Sequence, residues 1–404
     1  MKILIINAGS STVKFQIFEG DEFKLQTICK GTFSRIGELN SFYNFFYQNN
    51  ETKIIYNIDT HKTAVDLLIK TLKEKNIITT INDLDIIGYR VVHGMNYREI
   101  QNVQLTYKKV FEIAKKLTKV HAHGLINTVN YLMEIAKDVP QYFDFDTLFH
   151  VNDMLKTNYL YAIPYKFYEN DGIRKYGEHG LSHKYIANHV NELFKKNKII
   201  ISCHLGSGSS ISCMSNGKCI DNSMGLTPLA GVVMGTRCGN IDPSVVTYIM
   251  NEYNYSPEKM DNIMNLESGM KGICGLSDMR DIENACAKGD DRAKLAFDVT
   301  INSYVKSIGA RILQVGELIE NDLSNLIIVF TAGIGENSSL VRRKVIEKFK
   351  FLGIELDEKL NNKPPKGDCK ISKLNSKAEV WIMPTNEELT IAQDICEYLC
   401  TKKY

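Results

Sequence analysis

The amino-acid sequence predicts an α/β protein built from two copies of one domain. Strands alternate with helices along the chain, which is the pattern of α/β folds. A strand, a small-residue turn and a returning strand occupy residues 1–20, and the same arrangement recurs over residues 199–220. A length of 404 residues exceeds what one ordinary hydrophobic core supports, so two domains are expected.

Glycine-containing turns follow three of the predicted strands. They are Asn7–Thr12, Gly206–Ser210 and Thr331–Asn337. Glycine lets main-chain N–H groups approach a bound group, and several such groups together favour an anion. A single turn of this kind most often only joins two strands. Three of them in one chain favour a phosphate site assembled from several loops.

The other elements follow from hydrophobic periodicity. The predicted helices are His61–Asn76, Tyr107–Lys119, Gly124–Ala136, His183–Lys196, Pro257–Leu266, Arg292–Glu320 and a C-terminal helix opened by Thr385–Leu389. The predicted strands beyond the two hairpins include Asp85–Gly94, Tyr142–Phe149, Leu326–Phe330 and Val380–Met383. Asp146 falls inside the second of these strands. An acid there is costly unless it is paired or lies at the strand's mouth, so Asp146 is a site candidate.

Composition and charge narrow the class of protein. A formal net charge of +2 gives no electrostatic reason to expect a nucleic-acid partner. The ten cysteines contain no Cys-x-x-Cys pair, so a zinc site is not expected, and the thiols are expected to be reduced in the cytoplasm. No apolar run reaches the roughly 18 residues that span a bilayer, so no membrane partner is expected.

Nine short motifs, spread from the first strand to the C-terminal helix, resemble those of a known family. They are Asn7–Ser11, Arg90–Gly94, Phe145–His150, His179–His183, His204–Gly208, Ser223–Leu229, Met234–Gly239, Phe330–Asn337 and Pro384–Leu389. In this order they resemble the acetate kinase family, within the sugar-kinase and actin-like superfamily.

The resemblance implies a fold and an activity. The fold would be two ribonuclease-H-like domains, as in actin-like ATPases, around a central cleft. Residues 1–149 with 385–404 would form the acyl and phosphoryl side, and residues 150–384 the nucleotide-binding domain. The activity would be Mg²⁺-dependent, reversible phosphoryl transfer from ATP to acetate by direct in-line attack, giving ADP and acetyl phosphate. The family also implies a homodimer.

The resemblance further assigns four residues to the chemistry. Arg90 and Arg237 would hold the carboxylate and the moving phosphoryl group, a task that suits a planar guanidinium. His179 would donate to the transition state, and Asp146 would orient the substrate. Phosphoryl transfer needs mainly such alignment and positive charge.

Binding residues are implied in the same way. Asn7 and Glu387 would hold Mg²⁺, which usually takes only one or two protein carboxylates. The acyl pocket would be formed by Arg90, Val92, Val120 and Pro228. The nucleotide would be bound by Lys14, His204, Gly206, Ser207, Gly208, Asp278, Met279, Arg280, Gly333, Ile334, Gly335 and Asn337.

The chain departs from the family pattern near the acyl pocket. Glu178 stands where the family has a phenylalanine against the methyl group. A carboxylate there would repel a carboxylate substrate, and its burial is costly unless it pairs or turns to water. The segment Val120–His123 and the residues Tyr89, Ser207 and Thr12 also differ. These changes bear on substrate choice and catalytic efficiency, whereas the charged set for phosphoryl transfer is intact.

The sequence leaves two other functions open. A propionate or other short-chain acyl kinase would use the same charged set with a different pocket. A non-catalytic nucleotide-binding homologue would keep the fold and lose the chemistry, and the complete set of arginine, aspartate, histidine and glutamate argues against it.

Overall fold

The computed structural model describes residues 1–21, 24–319 and 322–402, with the side chains of Val120 and His121 excepted. The chain divides into two compact units. Unit 1 comprises residues 1–148 and 386–404, and unit 2 comprises residues 149–385. Each boundary lies one residue from the one expected from the sequence. Phe149 falls in unit 2 because its side chain packs in a core cluster there with Ile200 and Met214.

Unit 1 is built on an eight-stranded mixed sheet. Its strands are β1 (Lys2–Ala8), β2 (Thr12–Gly20), β3 (Leu25–Ser34), β4 (Phe42–Tyr47), β5 (Asn50–Ile55), β6 (Ile86–Val91), β7 (Gln101–Asn102) and β8 (Gln141–Phe145). Their order is β5-β4-β3-β2-β1-β6-β8-β7. The strands β1 to β5 form an antiparallel meander, whereas β1, β6 and β8 are parallel neighbours.

Four helices of unit 1 cover this sheet. They are α1 (His61–Glu74), α2 (Val103–Leu117), α3 (Lys119–Ile135) and the C-terminal helix (Glu387–Lys402). Thr60 begins α1, because its hydroxyl accepts a hydrogen bond from the N–H of Thr63. The apolar faces of α1, α2 and α3 and the sheet share one core, in which Leu68, Val110 and Leu132 are buried.

Unit 2 contains a six-stranded sheet. Its strands are β9 (Ile199–Leu205), β10 (Ser209–Ser215), β11 (Lys218–Asn222), β12 (Leu326–Thr331), β13 (Cys369–Lys370) and β14 (Glu379–Ile382). Their order is β11-β10-β9-β12-β14-β13, with β9, β12 and β14 parallel. The helices between residues 148 and 363 are α4 (Leu148–Val151), α5 (Lys156–Tyr159), α6 (Lys166–Asp171), α7 (Gly180–Phe194), α8 (Pro243–Tyr253), α9 (Pro257–Asn262), α10 (Gly269–Cys274), α11 (Met279–Ala287), α12 (Asp291–Gln314), α13 (Gly316–Ile319), α14 (Ala332–Asn337), α15 (Ser339–Ile346) and α16 (Glu358–Asn362).

The two sheets share one plan, which confirms the predicted duplicated α/β fold. In each sheet the first strand lies in the middle, pairs antiparallel with its hairpin partner and pairs parallel with the next strand. The turn between β1 and β2 therefore corresponds to the turn between β9 and β10. Among the described residues, no helix is long and apolar enough to cross a membrane.

The hairpin of β9 and β10 is buried on both faces. Ile201, Cys203 and Leu205 point into the main core of unit 2. Ser202 and His204 alternate with them, so they lie on the opposite face, which is also buried. This second face is polar at Ser202 and His204 and apolar at Ile200, which packs in a core cluster with residues of α7.

Candidate active site

Four predicted site residues of unit 1 form one group, here called the carboxylate cluster. Arg90 donates two hydrogen bonds to Asp146, from Nε to Oδ1 at 3.1 Å and from Nη2 to Oδ2 at 2.7 Å. Its Nη1 lies 3.2 Å from Glu387 Oε2 and 3.4 Å from Asn7 Oδ1. The cluster therefore joins residues from four distant parts of the chain.

The sheet topology explains how this cluster assembles. The parallel strands β1, β6 and β8 end at one edge of the sheet. Asn7 lies near the end of β1, and Arg90 near the end of β6. Asp146 follows β8 directly rather than lying inside it, and its N–H donates to Val91 O at 2.9 Å. Glu387 is the first residue of the C-terminal helix, which packs on the same strands.

The electrostatics of the carboxylate cluster leave it rich in negative charge. The Asp146 side chain is only 1% exposed. Burial disfavours the charge of Arg90, but Asp146, Glu387 and Glu388 outweigh this and raise the pKa of its guanidinium. Burial also raises the pKa of Glu388, and the neighbouring Glu387 adds to it, against the attraction of Lys14 and Arg90. The carboxylates of Asp146 and Glu387 are thus paired with Arg90, and Glu388 adds a third acid beside them.

The opening turn of unit 1 is held in place by packing from two helices. A hydrogen bond of 2.8 Å joins His61 Nε2 to Gly9 O, and the N–H of Gly9 donates to Thr12 O at 2.8 Å. A methyl group added to Gly124 on α3 would lie 1.9 Å from Gly9 O, so only glycine fits there. Lys14, on β2 beyond this turn, has an exposed side chain.

In unit 2, three loops meet at the predicted phosphate loop. The loop joins β9 to β10, and the N–H of Gly206 donates to Gly208 O at 3.1 Å. The N–H of Gly235 donates to Ser207 O at 3.3 Å, which brings the segment before Arg237 against this loop. A methyl group on Gly206 would lie 3.9 Å from Ala332 Cβ, at the turn after β12.

His179 and Arg237 lie side by side against Gly208. A methyl group added to Gly208 would be 3.3 Å from Arg237 Nη1 and 3.5 Å from His179 Nε2. His179 has a φ of 56°, in the left-handed region that few residues other than glycine adopt. Gly206–Gly208, His179 and Arg237 are called the glycine-loop cluster below. His204 supports it, because its ring stacks on that of His179 with 4.1 Å between centroids.

Glu178 is buried beside this cluster. Its relative exposure is 1%. Burial lowers the pKa of Arg237, and the negative charge of Glu178 opposes that change. The main-chain carbonyl of Glu178 accepts a hydrogen bond from Asn222 Nδ2 at 3.1 Å, which fixes the segment. Glu178 therefore lies buried near a cation and does not turn out to water.

The predicted nucleotide residues at the start of α11 adjoin the same loops. A methyl group on Gly235 would lie 2.9 Å from Ser277 O, the residue before Asp278. Asp278 accepts a hydrogen bond from the N–H of Arg280 at 2.9 Å and pairs with its exposed guanidinium at 2.6 Å. The Met279 side chain is different, because it is buried in the core of unit 2.

The other predicted nucleotide residues lie on α14. Gly333 and Asn337 are exposed, and Asn337 Nδ2 donates to Gly333 O at 2.8 Å. Ile334 is half-buried against the core, and the carbonyl of Gly335 accepts from Arg342 Nη1 at 2.8 Å. Both ends of this short helix are therefore accessible, and its first turn follows β12.

The predicted acyl-pocket residues are placed on both units. Val92 is half-buried and follows β6 directly, two residues after Arg90. The carbonyl of Pro228 accepts a hydrogen bond from Arg237 Nη1 at 3.2 Å. The side chain of Val120 lies outside the described residues, as does that of His121.

A buried polar network behind His179 was missed by the sequence reasoning. Ser210 Oγ lies 2.9 Å from His179 Nδ1 and 2.7 Å from His183 Nε2, and His183 Nδ1 lies 3.0 Å from Ser202 Oγ. Two features of the sequence could have indicated this network. Serine and histidine alternate with apolar residues in β9 and β10, and His179 and His183 have the spacing of one helical turn.

The buried His150 predicts that unit 2 loses stability at acidic pH. His150 is fully buried, with Nε2 3.0 Å from Glu178 O and Nδ1 3.1 Å from Cys219 Sγ. Burial lowers its pKa to about 4. The unfolded chain therefore binds more protons than the folded one below about pH 6.5, so stability falls as the pH falls. We expect His150 to lower the free energy of unfolding by about 2 kcal/mol as the pH falls from about 6.5 to about 5.

Thermal unfolding measures this effect. The His150→Gln variant keeps a side-chain donor for Glu178 O and does not titrate in this range, so its Tm should change less than that of the parent protein between the two pH values. His123→Gln, at the exposed His123 of α3, is the control and should behave as the parent does. Equal losses of Tm in the parent and in His150→Gln would contradict the expectation.

The fold and the two clusters together define a class of protein. Paired α/β units with glycine turns after their first strands are suited to binding phosphate groups, and Arg90, at the end of β6, and Arg237, in the loop after β11, can supply positive charge to a phosphoryl group. These features are those expected of a phosphotransferase.

Comparisons with known proteins give the family. The sequence model of the acetokinase family matches residues 2–393. The acetate kinase of Clostridium novyi and acetate kinase 2 of Clostridium perfringens are each 41% identical to this chain, over 98% of both chains. The structure of a propionate kinase from Francisella tularensis superposes with a TM-score of 0.86 at 34% identity, covering 97% of this chain and 98% of that one. The acetate kinase of Porphyromonas gingivalis gives 0.84 at 31%, covering 98% and 99%. The chain belongs to the acetokinase family.

Proposed function

We propose that the protein transfers the γ-phosphoryl group of ATP to acetate, reversibly, giving ADP and acetyl phosphate. An oxygen of the acetate carboxylate attacks the γ-phosphorus, and the bond from that phosphorus to the bridging oxygen breaks. ADP leaves with the electron pair. The observation that carries the proposal is that Arg90 and Arg237 each lie in contact with other predicted site residues, in a chain about 40% identical to acetate kinases.

The two clusters would contribute different parts of this reaction. Arg237 and His179, which lie against Gly208, would donate to the oxygens of the moving phosphoryl group. Arg90 would hold the carboxylate of the acceptor, and Asp146 would orient Arg90 through their two hydrogen bonds. Such preorganised donors stabilise charge that develops in the transition state, usually the largest part of catalysis.

The carboxylate cluster also fits Mg²⁺. Asn7 and Glu387 offer an amide oxygen and a carboxylate oxygen, the hard donors that Mg²⁺ prefers, and the cluster has more acids than bases. We propose that these two residues hold the ion, partly through water. A bound Mg²⁺ would neutralise charge on the nucleotide phosphates.

Nucleotide binding is assigned to unit 2. The main chain at Gly206–Gly208 would contact the phosphates, with Lys14 of unit 1 and His204 as supporting residues. The exposed first turn of α14 and the start of α11 would hold the adenosine. Because the Met279 side chain is buried, only its main chain would take part.

A direct assay tests the proposed function. Purified protein with ATP, Mg²⁺ and acetate should form ADP and an acyl phosphate that hydroxylamine traps as acetohydroxamate. Omitting acetate should stop ADP formation, and replacing ATP by pyrophosphate should give no product. Nucleotide binding without any trapped acyl phosphate would instead identify a non-catalytic homologue.

Propionate is the second candidate acceptor, and Glu178 is the observation that favours testing it. We expect Glu178→Gln to lower the KM for acetate by about tenfold, because it removes a buried negative charge near Arg237, and tenfold corresponds to about 1.4 kcal/mol. Steady-state rates with acetate, propionate and butyrate measure the effect. The matched control is Glu169→Gln, at an exposed acid on α6. An unchanged KM with all three acids would show that Glu178 does not act on the acceptor.

The family also leads us to propose a homodimer in the cytoplasm. Exposed apolar side chains on unit 2, among them Ile163, Val245 and Tyr248, support a protein contact there. The ten cysteines are free thiols, which suits a reducing compartment. Sedimentation equilibrium of the purified protein counts the chains.

A further inference from the structure

We propose that Ser210 and His183 are positioning residues: their hydrogen bonds restrict where His179 can carry its proton, so that a bound phosphate selects the form with the proton on Nε2. A continuous path of hydrogen bonds runs from Ser202 through His183 and Ser210 to His179, with lengths of 3.0, 2.7 and 2.9 Å. The inference rests on the proposed role of His179 as a donor to the phosphoryl group, and it adds what makes His179 a donor.

The number of hydrogen atoms on these side chains limits which atom can donate in each hydrogen bond of the path. A serine hydroxyl has one hydrogen, so Ser210 can donate to only one of the two ring nitrogens beside it and accepts from the other. Ser202, His183 and Ser210 are all 0% exposed, so water does not replace a missing partner. Burial, together with the charges of His150, His204 and Arg311, lowers the pKa of His183 well below its ordinary value. His183 is therefore neutral and has one N–H.

Two arrangements give every hydrogen of this path an acceptor when His179 is neutral, because a third, in which Ser210 accepts from both rings, leaves its own hydroxyl hydrogen without one of these partners. In the first, Ser202 donates to His183 Nδ1, His183 Nε2–H donates to Ser210, and Ser210 donates to His179 Nδ1. The proton of His179 is then on Nε2. In the second, every hydrogen bond is reversed, and Nε2 of His179 is bare.

The position of Nε2 decides between the two. It lies against Gly208 beside Arg237 Nη1, where the phosphoryl group is proposed to bind. A bare nitrogen would direct its lone pair at an anion, whereas an N–H donates to it. The first arrangement is therefore the one that a phosphate stabilises. When His179 is protonated, the second arrangement applies, and Nε2 again carries a hydrogen. The path thus keeps an N–H directed at the anion in both charge states.

The neighbouring groups whose contacts are described lie away from His179 Nδ1. The ring of His204 stacks on that of His179, and His204 Nδ1 is occupied by Ser182 Oγ at 2.8 Å. Arg237 lies on the Nε2 side. A structural role alone would require each buried group to have some partner, but would not require one of the two directions.

Nuclear magnetic resonance of the full-length protein, labelled with ring-¹⁵N histidine and saturated with ADP and inorganic phosphate, tests the proposal. The ring nitrogen shifts distinguish the Nε2–H form from the Nδ1–H form, and the signal lost in His179→Asn identifies His179. We expect the Nε2–H form in the wild-type protein and a mixture of both forms in Ser210→Ala. Ser212→Ala is the matched control, since Ser212 is the next serine on the same face of β10, is equally buried and bonds Asp221 O at 2.9 Å instead.

Kinetics add a second measurement. We expect Ser210→Ala to lower kcat by about tenfold and to change the KM for ATP much less. The loss of a donor that contacts the phosphoryl group itself costs about 100-fold or more. The effect of Ser210→Ala should be smaller, because Ser210 acts only through His179. An Nδ1–H form of His179 in the wild-type protein, or an unchanged form in Ser210→Ala, would overturn the proposal. If Ser210→Ala does not fold, the wild-type spectrum decides alone. The nuclear magnetic resonance spectrum reports the protonated nitrogen of His179 without any turnover. A failure of the proposed function would therefore be seen in the hydroxamate assay and not in this spectrum.

Discussion

Arg237→Ala is expected to lower kcat by about 100-fold or more, which is the cost of losing one preorganised donor to a developing charge. Arg237 Nη1 lies against Gly208 together with His179 Nε2, so truncation removes one of two donors directed at the same point. The side chain is also held by the carbonyl of Pro228 at 3.2 Å, so it is already oriented before a substrate binds. Initial rates of acyl phosphate formation measure the loss.

Two further variants sharpen this prediction. Arg237→Lys keeps the positive charge but loses the planar pair of donors, and its rate should fall between those of the parent and of Arg237→Ala. Arg292→Ala removes an exposed arginine of α12 in the same unit and should leave the rate unchanged. A normal rate in Arg237→Ala would remove this residue from the site.

Arg90→Ala is expected to lower both activity and stability. Arg90 pairs with Asp146, whose side chain is 1% exposed, and also contacts Glu387. Its removal leaves a buried carboxylate without its cation, which typically costs about 3–5 kcal/mol. It also removes the proposed anchor of the acceptor carboxylate, so kcat/KM should fall by about 100-fold or more. Chemical denaturation and steady-state rates measure the two effects.

A double variant separates these two effects. Arg90→Ala with Asp146→Asn removes the buried charge of Asp146 together with its cation, so the stability lost through Asp146 should return, while Glu387 still lacks its partner. The activity should not return, because the guanidinium is still missing. Arg98→Ala, an exposed arginine eight residues further along the chain, is the matched control for both measurements. Recovery of activity in the double variant would mean that Arg90 serves only to neutralise Asp146.

The elements and the duplication could be predicted from local patterns. The first hairpin of each sheet follows from short apolar runs around a glycine turn, and both hairpins lie where expected. Boundaries were less accurate. The predicted strand Tyr142–Phe149 ends at Phe145, because a helical turn begins at Leu148. The predicted helix Arg292–Glu320 divides at Val315 into α12 and α13.

The carboxylate cluster shows what a sequence alone cannot determine. Asp146 could be singled out because an acid beside an apolar strand needs a partner, but nothing local says that the partner is Arg90. The two meet because β6 and β8 are parallel neighbours, a property of the sheet order. Only the family resemblance joined them to Glu387. The path through Ser210 and His183 was missed because a buried strand was interpreted from its apolar residues alone.

The division of unit 1 into two chain segments has a consequence for how the protein is made. Unit 2 is continuous from residue 149 to residue 385, so its whole sequence is available before the C-terminal helix emerges from the ribosome. Unit 1 begins first and is completed last, since Glu387 and the helix that follows it belong to it. The nascent N-terminal segment must therefore wait, with the surface under that helix uncovered, while residues 149–385 are translated. Arg90 cannot acquire all of its partners until Glu387 has been added to the chain.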